Sequence, residues 1–204
     1  MSSPPLRGRN PDEITSTKGG IHVGEAPSIG ETYVDILARH GLPQITAHGE
    51  RNPQANGASP PPNGSFAARF AEVRIDADLG LLRVARIVSA VDAGRVLNEK
   101  LARSQIIGGT VMGIGMTMLE ETVFDPETGR IANATFGDYL IPANADVPDL
   151  DVVFVGTPDT VGPLGIKGMG EISGVGLSAA IANAVYHATG RRIRSLPITI
   201  EQFL

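Results

Sequence analysis

Phe70-Ala-Glu-Val-Arg-Ile-Asp-Ala-Asp-Leu-Gly-Leu-Leu-Arg-Val-Ala-Arg-Ile-Val-Ser-Ala-Val91 is the stretch that decides the fold class. Ala71, Val73 and Ile75 alternate with Glu72, Arg74 and Asp76, the period of a strand with one buried face. Asp76 to Gly80 then turns the chain into Leu81 to Val91, so the whole stretch reads as a hairpin. Downstream, Asn98 can cap a helix that runs through Lys100 and Gln105 into the apolar Ile106 to Leu119. Thr122 to Phe124, the turn Asp125-Pro-Glu-Thr-Gly129 and Arg130 to Thr135 predict a second hairpin, and Leu150 to Val155 a further strand. The glycine-rich Gly162 to Gly170 leads to Glu171 and a helix near Ser173 to Thr189, stopped by Gly190 and followed by a short strand around Arg192 to Arg194. Hairpins mixed with two buried helices predict an α+β fold with mixed or antiparallel strands.

Upstream of this region the composition changes. The first 65 residues hold nine Gly and nine Pro, against 16 and 6 in the remaining 139, and Asn52 to Gly64 reads as loop throughout. The chain is therefore divided into a Pro/Gly-rich, partly irregular connecting segment, 1–64, and a folded domain, 65–204. Within the connecting segment only Glu31 to His40 has helical spacing, with Tyr33, Ile36 and Leu37 on one face and Gly41-Leu42-Pro43 as a stop.

Composition excludes several function classes. Seventeen Lys+Arg against 22 Asp+Glu give a net charge of −5, so a broad basic face for a nucleic-acid backbone is not expected. With no Cys, the chain has no thiolate metal site, iron–sulfur cluster or Cys nucleophile, and redox chemistry requires a borrowed cofactor. The N-terminus lacks the apolar run of a secretory signal, so a cytoplasmic location is expected. Two uncharged stretches, 104–119 and 172–189, are interrupted by Gly, Ser, Asn, Gln and His and read as buried helices rather than membrane spans.

Two glycine-rich sites stand out chemically. In Gln105-Ile-Ile-Gly-Gly-Thr-Val-Met-Gly-Ile-Gly-Met116, four glycines sit inside an apolar helix, each costing about 1 kcal/mol relative to Ala. Either close helix-to-strand packing or the close approach of a bulky cofactor offsets that cost. In Lys167-Gly-Met-Gly-Glu171 the glycines place a carboxylate just before a helix. Glu171 is then either a helix-start carboxylate held by the dipole or a general base at the mouth of a pocket. The four His have no metal-ligand spacing, so no metal ligands are assigned, and His187 reads as structural. No serine sits in a G-x-S-x-G elbow.

Taken in order, Asp92-Ala-Gly-Arg-Val-Leu-Asn98, Gln105-Ile-Ile-Gly-Gly109, Gly113-Ile-Gly115 with Leu119-Glu120-Glu121, Tyr139-Leu-Ile-Pro142, Lys167-Gly-Met-Gly-Glu171, and Ala179-Ala-Ile-Ala-Asn-Ala184 running to Leu196-Pro-Ile-Thr199 form a series. From about Gly64 to Leu204 the chain resembles the C-terminal part of the molybdopterin-binding large subunit of the xanthine dehydrogenase and aldehyde oxidase family, in its bacterial aldehyde dehydrogenase and isoquinoline 1-oxidoreductase-like branch. The resemblance implies a molybdenum hydroxylase that oxidises aldehydes or N-heteroaromatics. In that family the glutamate at the position of Glu171 is the base that deprotonates a molybdenum-bound hydroxyl, while hydride passes to a molybdenum sulfido group. It implies a molybdenum–molybdopterin cofactor, in bacteria usually the cytosine dinucleotide form, lined by Met112, Gly113, Lys167, Gly168, Met169 and Gly170. Several members have Gln at Met112, and a thioether cannot replace its donor. The implied partners are the missing N-terminal portion of the large subunit, an FAD-binding subunit and a 2Fe-2S subunit; some members are periplasmic. The alternative is an inactive truncated fragment or interaction module, because the family's cofactor is also held by earlier subdomains.

Overall fold

A computed structural model describes residues 6–17, 19–24, 26–49 and 64–204. The loop expected over Asn52 to Gly64 therefore lies, except for Gly64, outside the described residues. The chain divides into two compact units, Met1–Ala55 and Asn56–Leu204.

In the first unit, β1 (Ile14–Thr17), β2 (Gly20–Val23) and β3 (Ala26–Thr32) form an antiparallel meander. No period in the sequence points to it, because strands of four, four and seven residues rich in Ser, Thr and Gly carry too few apolar positions to show one. The register explains one glycine: Gly30 lies opposite His22, and any Cβ there would overlap the imidazole. The expected helix is present as α1 (Tyr33–His40), capped by the Thr32 hydroxyl, which accepts from the Asp35 amide, and closed by Gly41 at φ 61°.

In the second unit the opening stretch forms the hairpin β4 (Phe66–Asp76) and β5 (Leu81–Asp92). Asp76 makes the turn by accepting from the amides of Asp78 and Leu79 at 3.1 and 3.0 Å, and Gly80 supplies the left-handed residue at φ 63°. The chain then crosses through α2 (Glu99–Met118) to β6 (Asp149–Phe154), which pairs parallel with β5, giving a mixed sheet β4-β5-β6. Asn98 caps α2 through the Leu101 amide at 3.1 Å. The helix α3 (Leu177–Thr189) packs on β4 and α2, and α4 (Ile200–Phe203) ends the chain. One core joins Ile87, Ile114, Leu177, Ile181, Val185, Ile193, Ile198 and Phe203; a second, smaller one joins Val91, Ala93, Ile106 and Val152. The fold is mixed α and β, with two internal helices on one sheet. Among the described residues no helix is long and apolar enough to cross a membrane.

Three expectations from the sequence change in detail. The second hairpin shrinks to one bridge, Phe124 with Ile131, because the Asp125 carboxylate satisfies Glu127 and Thr128 locally and Asn133 ties itself to Val123 and Glu121. No strand forms around Arg192 to Arg194; there Ile193 and Ile198 plug the core instead, and the Ile198 amide bonds the Thr117 carbonyl at 2.7 Å. The helix expected from Ser173 begins at Leu177, because Gly176 at φ 79° breaks the chain from a short 3-10 turn, Glu171–Ser173.

Candidate active site

The segment 165–173 is built by stitching. The carbonyl of Gly165 accepts from Arg95 and Asp159 at 2.7 and 2.8 Å, and the Lys167 amide bonds the Ala93 carbonyl at 2.9 Å. Asp92, the last residue of β5, accepts from the Gly94 amide and from Lys167 Nζ, each at 2.9 Å. The Gly94 amide and then the Lys167 ammonium hold the Asp92 carboxyl below its ordinary range. Lys167 Nζ also lies 5.7 Å from the centre of the Phe66 ring. Beyond it, Met169 and Ile172 insert into the smaller core. The backbone between these anchors leaves Gly168, Gly170 and Glu171 exposed.

The same tight fit appears in α2, and it divides its four glycines. A Cβ on Gly109 would overlap the Ser173 side chain, one on Gly113 would come within 2.6 Å of Leu177 Cδ2, and one on Gly115 within 2.8 Å of Pro142 Cδ. Close packing therefore accounts for three of them. Gly108 faces open space, as do Gly168 and Gly170, and none of these three has a positive φ. Neither packing nor backbone conformation calls for glycine at those positions. Gly168 and Gly170 leave backbone exposed beside Glu171, where a flat, bulky group can reach it, so this surface fits the pterin-type cofactor that the sequence suggests. Among the described residues, no three His, Cys, Asp or Glu come together to hold a metal ion.

The candidate residues separate accordingly. Gly168, Gly170 and Glu171 share one exposed ledge, seated on α2 where Ser173 meets Gly109, and Met112 is 66% exposed one turn along. Lys167 and Met169 face inward as anchors that support the ledge from below, and Gly113 is buried where α2 meets Leu177. Glu171 is not at the start of α3, which removes the helix-dipole explanation for it. It is exposed in this chain, so the desolvation expected from the neighbouring helix is not supplied by these residues. His187 is exposed on α3, lining an open groove of about 490 Å³ against β4 rather than sitting in the core.

Two contributors were missed in the sequence. Ser65 Oγ donates to the Gly168 carbonyl, and Arg69 Nη2 donates to the carbonyls of Ile172 and Ser173 at 2.5 and 3.0 Å. The signal was present: Arg69 falls in the inward phase set by Ala71, Val73 and Ile75, where a cation needs a reason. The remaining motifs meet in pairs, Asp92 with Lys167, and Glu120 with Tyr139, whose hydroxyl donates to Glu120 Oε2 at 3.0 Å. That bond raises the Tyr139 pKa.

Comparison with known proteins gives this ledge a context. The model of a family described as a molybdopterin cofactor-binding domain matches residues 5–148, which include Met112 and Gly113 and end before Lys167. The chain is 43% identical over 141 residues to the aldehyde oxidoreductase molybdenum-binding subunit PaoC of Escherichia coli K12, covering 69% of this chain and 19% of that one. It is 35% identical over 192 residues to the putative xanthine dehydrogenase molybdenum-binding subunit XdhA of the same organism, covering 91% and 25%. Among solved structures, quinoline 2-oxidoreductase from Pseudomonas putida 86 superposes with a TM-score of 0.73 at 28% identity, over 94% of this chain and 25% of that one. The aldehyde oxidoreductase of Desulfovibrio desulfuricans does so with a TM-score of 0.62 at 31% identity, over 69% and 15%. The chain thus spans about a fifth to a quarter of the length of these curated relatives.

Proposed function

The chain belongs to the molybdopterin-binding subunits of the xanthine dehydrogenase and aldehyde oxidoreductase family, and from that premise we propose that it forms the base-bearing wall of a molybdenum hydroxylase's cofactor site. Its place is the C-terminal part of the large subunit. One observation carries the reading: Gly168 and Gly170 leave backbone open to approach, and Glu171 stands on the same exposed ledge. When bound, the molybdenum–pterin group supplies the electron sink and the oxygen-transfer chemistry. Glu171 provides the proton acceptor, its carboxylate aimed outward by Lys167, Met169 and Ile172, which hold the backbone on either side. Gly168 and Gly170 bring amide groups to the cofactor, and Met112 contributes an apolar contact where a donor is found in other members.

The substrates of this reading are aldehydes or N-heteroaromatics, and the pterin is the cytosine dinucleotide form. Electrons leave through a 2Fe-2S subunit and an FAD-binding subunit. The absence of Cys agrees with clusters placed on other chains, and one relative is named as the gamma subunit of a dehydrogenase complex. Exposure of Glu171 in this chain fits a site closed by the rest of the large subunit, which excludes water from the base.

The test is molybdenum content together with native mass, for this chain produced with its gene neighbours in a molybdate-supplied host. Stoichiometric molybdenum in a larger complex supports the proposal; a lone chain without molybdenum overturns it in favour of an inactive fragment. In the loaded complex Glu171→Gln is expected to keep molybdenum and lower turnover by about 10²–10⁴-fold, the usual contribution of a general base. Wild-type turnover from that variant removes Glu171 from the role.

A further inference from the structure

Among the inward-phase residues of β4, Arg69 alone is charged, beside Ala67, Ala71, Val73 and Ile75, and Ser65 precedes the strand in the same phase. Its Nε and Nη1 are buried and make no hydrogen bond among the described residues, and burial pushes the guanidinium below its ordinary pKa. A half-buried cation with two of its three nitrogens unpaired is costly to place in a strand whose neighbours on this face are apolar. What Arg69 does accomplish is specific. Nη2 bridges the carbonyls of Ile172 and Ser173, the two residues that follow Glu171, while Ser65, four positions earlier on the same face, holds the carbonyl of Gly168 on the other side. Ser173 Oγ donates to the Gly170 carbonyl at 2.6 Å, and Gly109 leaves room for that side chain to seat on α2. The backbone bearing Glu171 is therefore gripped from β4 on both sides.

We propose that Arg69, aided by Ser65, is a positioning residue for Glu171: it fixes the 3-10 turn on α2 so that the carboxylate meets the reacting group at one height and angle. The proposal rests on the reading of Glu171 as the base. Both bonds come from the one nitrogen Nη2, whose place the rigid plane of the guanidinium fixes, whereas a Lys ammonium on a flexible stem is held less closely. Misplacing a catalytic group by about 1 Å can lower turnover about 10²-fold while leaving substrate binding alone.

The experiment compares Arg69→Ala, Arg69→Lys and Glu171→Gln in the assembled, molybdenum-loaded complex. Three quantities are read: kcat per bound molybdenum, KM, and hydrogen exchange at the Gly174 amide, which bonds the Glu171 carbonyl at 3.1 Å. Arg69→Ala is expected to lower kcat per molybdenum at least about tenfold, leave KM within about twofold and speed exchange at Gly174, with Arg69→Lys intermediate. A purely structural role would reduce molybdenum loading and leave kcat per molybdenum untouched. Unchanged kcat per molybdenum overturns the proposal, whatever the exchange at Gly174. If Arg69→Ala does not assemble, Arg69→Lys carries the same criteria. Full turnover from Glu171→Gln would instead remove the base, a separate failure, and the exchange at Gly174 would still decide whether Arg69 holds the turn.

Discussion

At the scale of single residues, the ledge depends on an ion pair that the family motifs hide. Asp92 and Lys167 belong to separate motifs 75 positions apart, and they meet at 2.9 Å with side chains 25% and 13% exposed. Because the folded Asp92 carboxyl lies below its ordinary value of about 3.9, its contribution is fully present above that pH and lost as the pH falls through the folded pKa. Asp92→Asn is therefore expected to lower the thermal midpoint of the complex at pH 7, with the gap from wild type closing below about pH 4. A gap that is the same at both pH values would mean that the pair does not set the loop. The sequence named Lys167 as a cofactor contact from its place in the motif, yet a motif records only adjacency along the chain, and the partner that holds Lys167 inward is remote.

At the scale of elements, legibility followed the length over which a period could be read. The hairpin β4–β5 was evident because alternation persisted across both strands and an Asp-to-Gly turn joined them. The helix α2 was evident from its Asn98 cap. The strands β1 to β3 were too short and polar to show, and the start of α3 was misplaced because only coordinates reveal Gly176 in the left-handed region. Whether the α2 glycines served packing or ligand approach also could not be read from spacing, since adjacent glycines on a helix face different neighbours. Gly108 and Gly109 now separate the two roles. Gly109→Ala is expected to lower the melting temperature, because moving the Ser173 hydroxyl does not relieve an overlap that also involves its Cβ. Gly108→Ala meets nothing and is expected to leave the fold as stable or raise its stability by up to about 1 kcal/mol, while lowering molybdenum content. Equal loading of Gly108→Ala and wild type would show that the cofactor does not approach there.

At the scale of the molecule, much apolar surface of the second unit is uncovered. Phe136 is 88% exposed, Met112 66%, Leu101 64% and Phe124 62%. Where exposed apolar side chains adjoin, they form patches that other protein ordinarily covers. Produced alone, the chain is expected to self-associate and bind a hydrophobic dye, and to lose both properties when coexpressed with the rest of its large subunit. A monodisperse, dye-silent chain would show that this surface needs no cover. The grip of Arg69 on the turn that carries Glu171 has a different implication, one of timing. Arg69 is synthesised 103 residues before the Ile172 carbonyl that it bonds. A chain still on the ribosome can complete its hairpin and α2, yet it lacks Glu171 and the carbonyls that the guanidinium holds. On the proposed reading the wall is complete only once residues 168–173 have emerged and docked on β4 and α2.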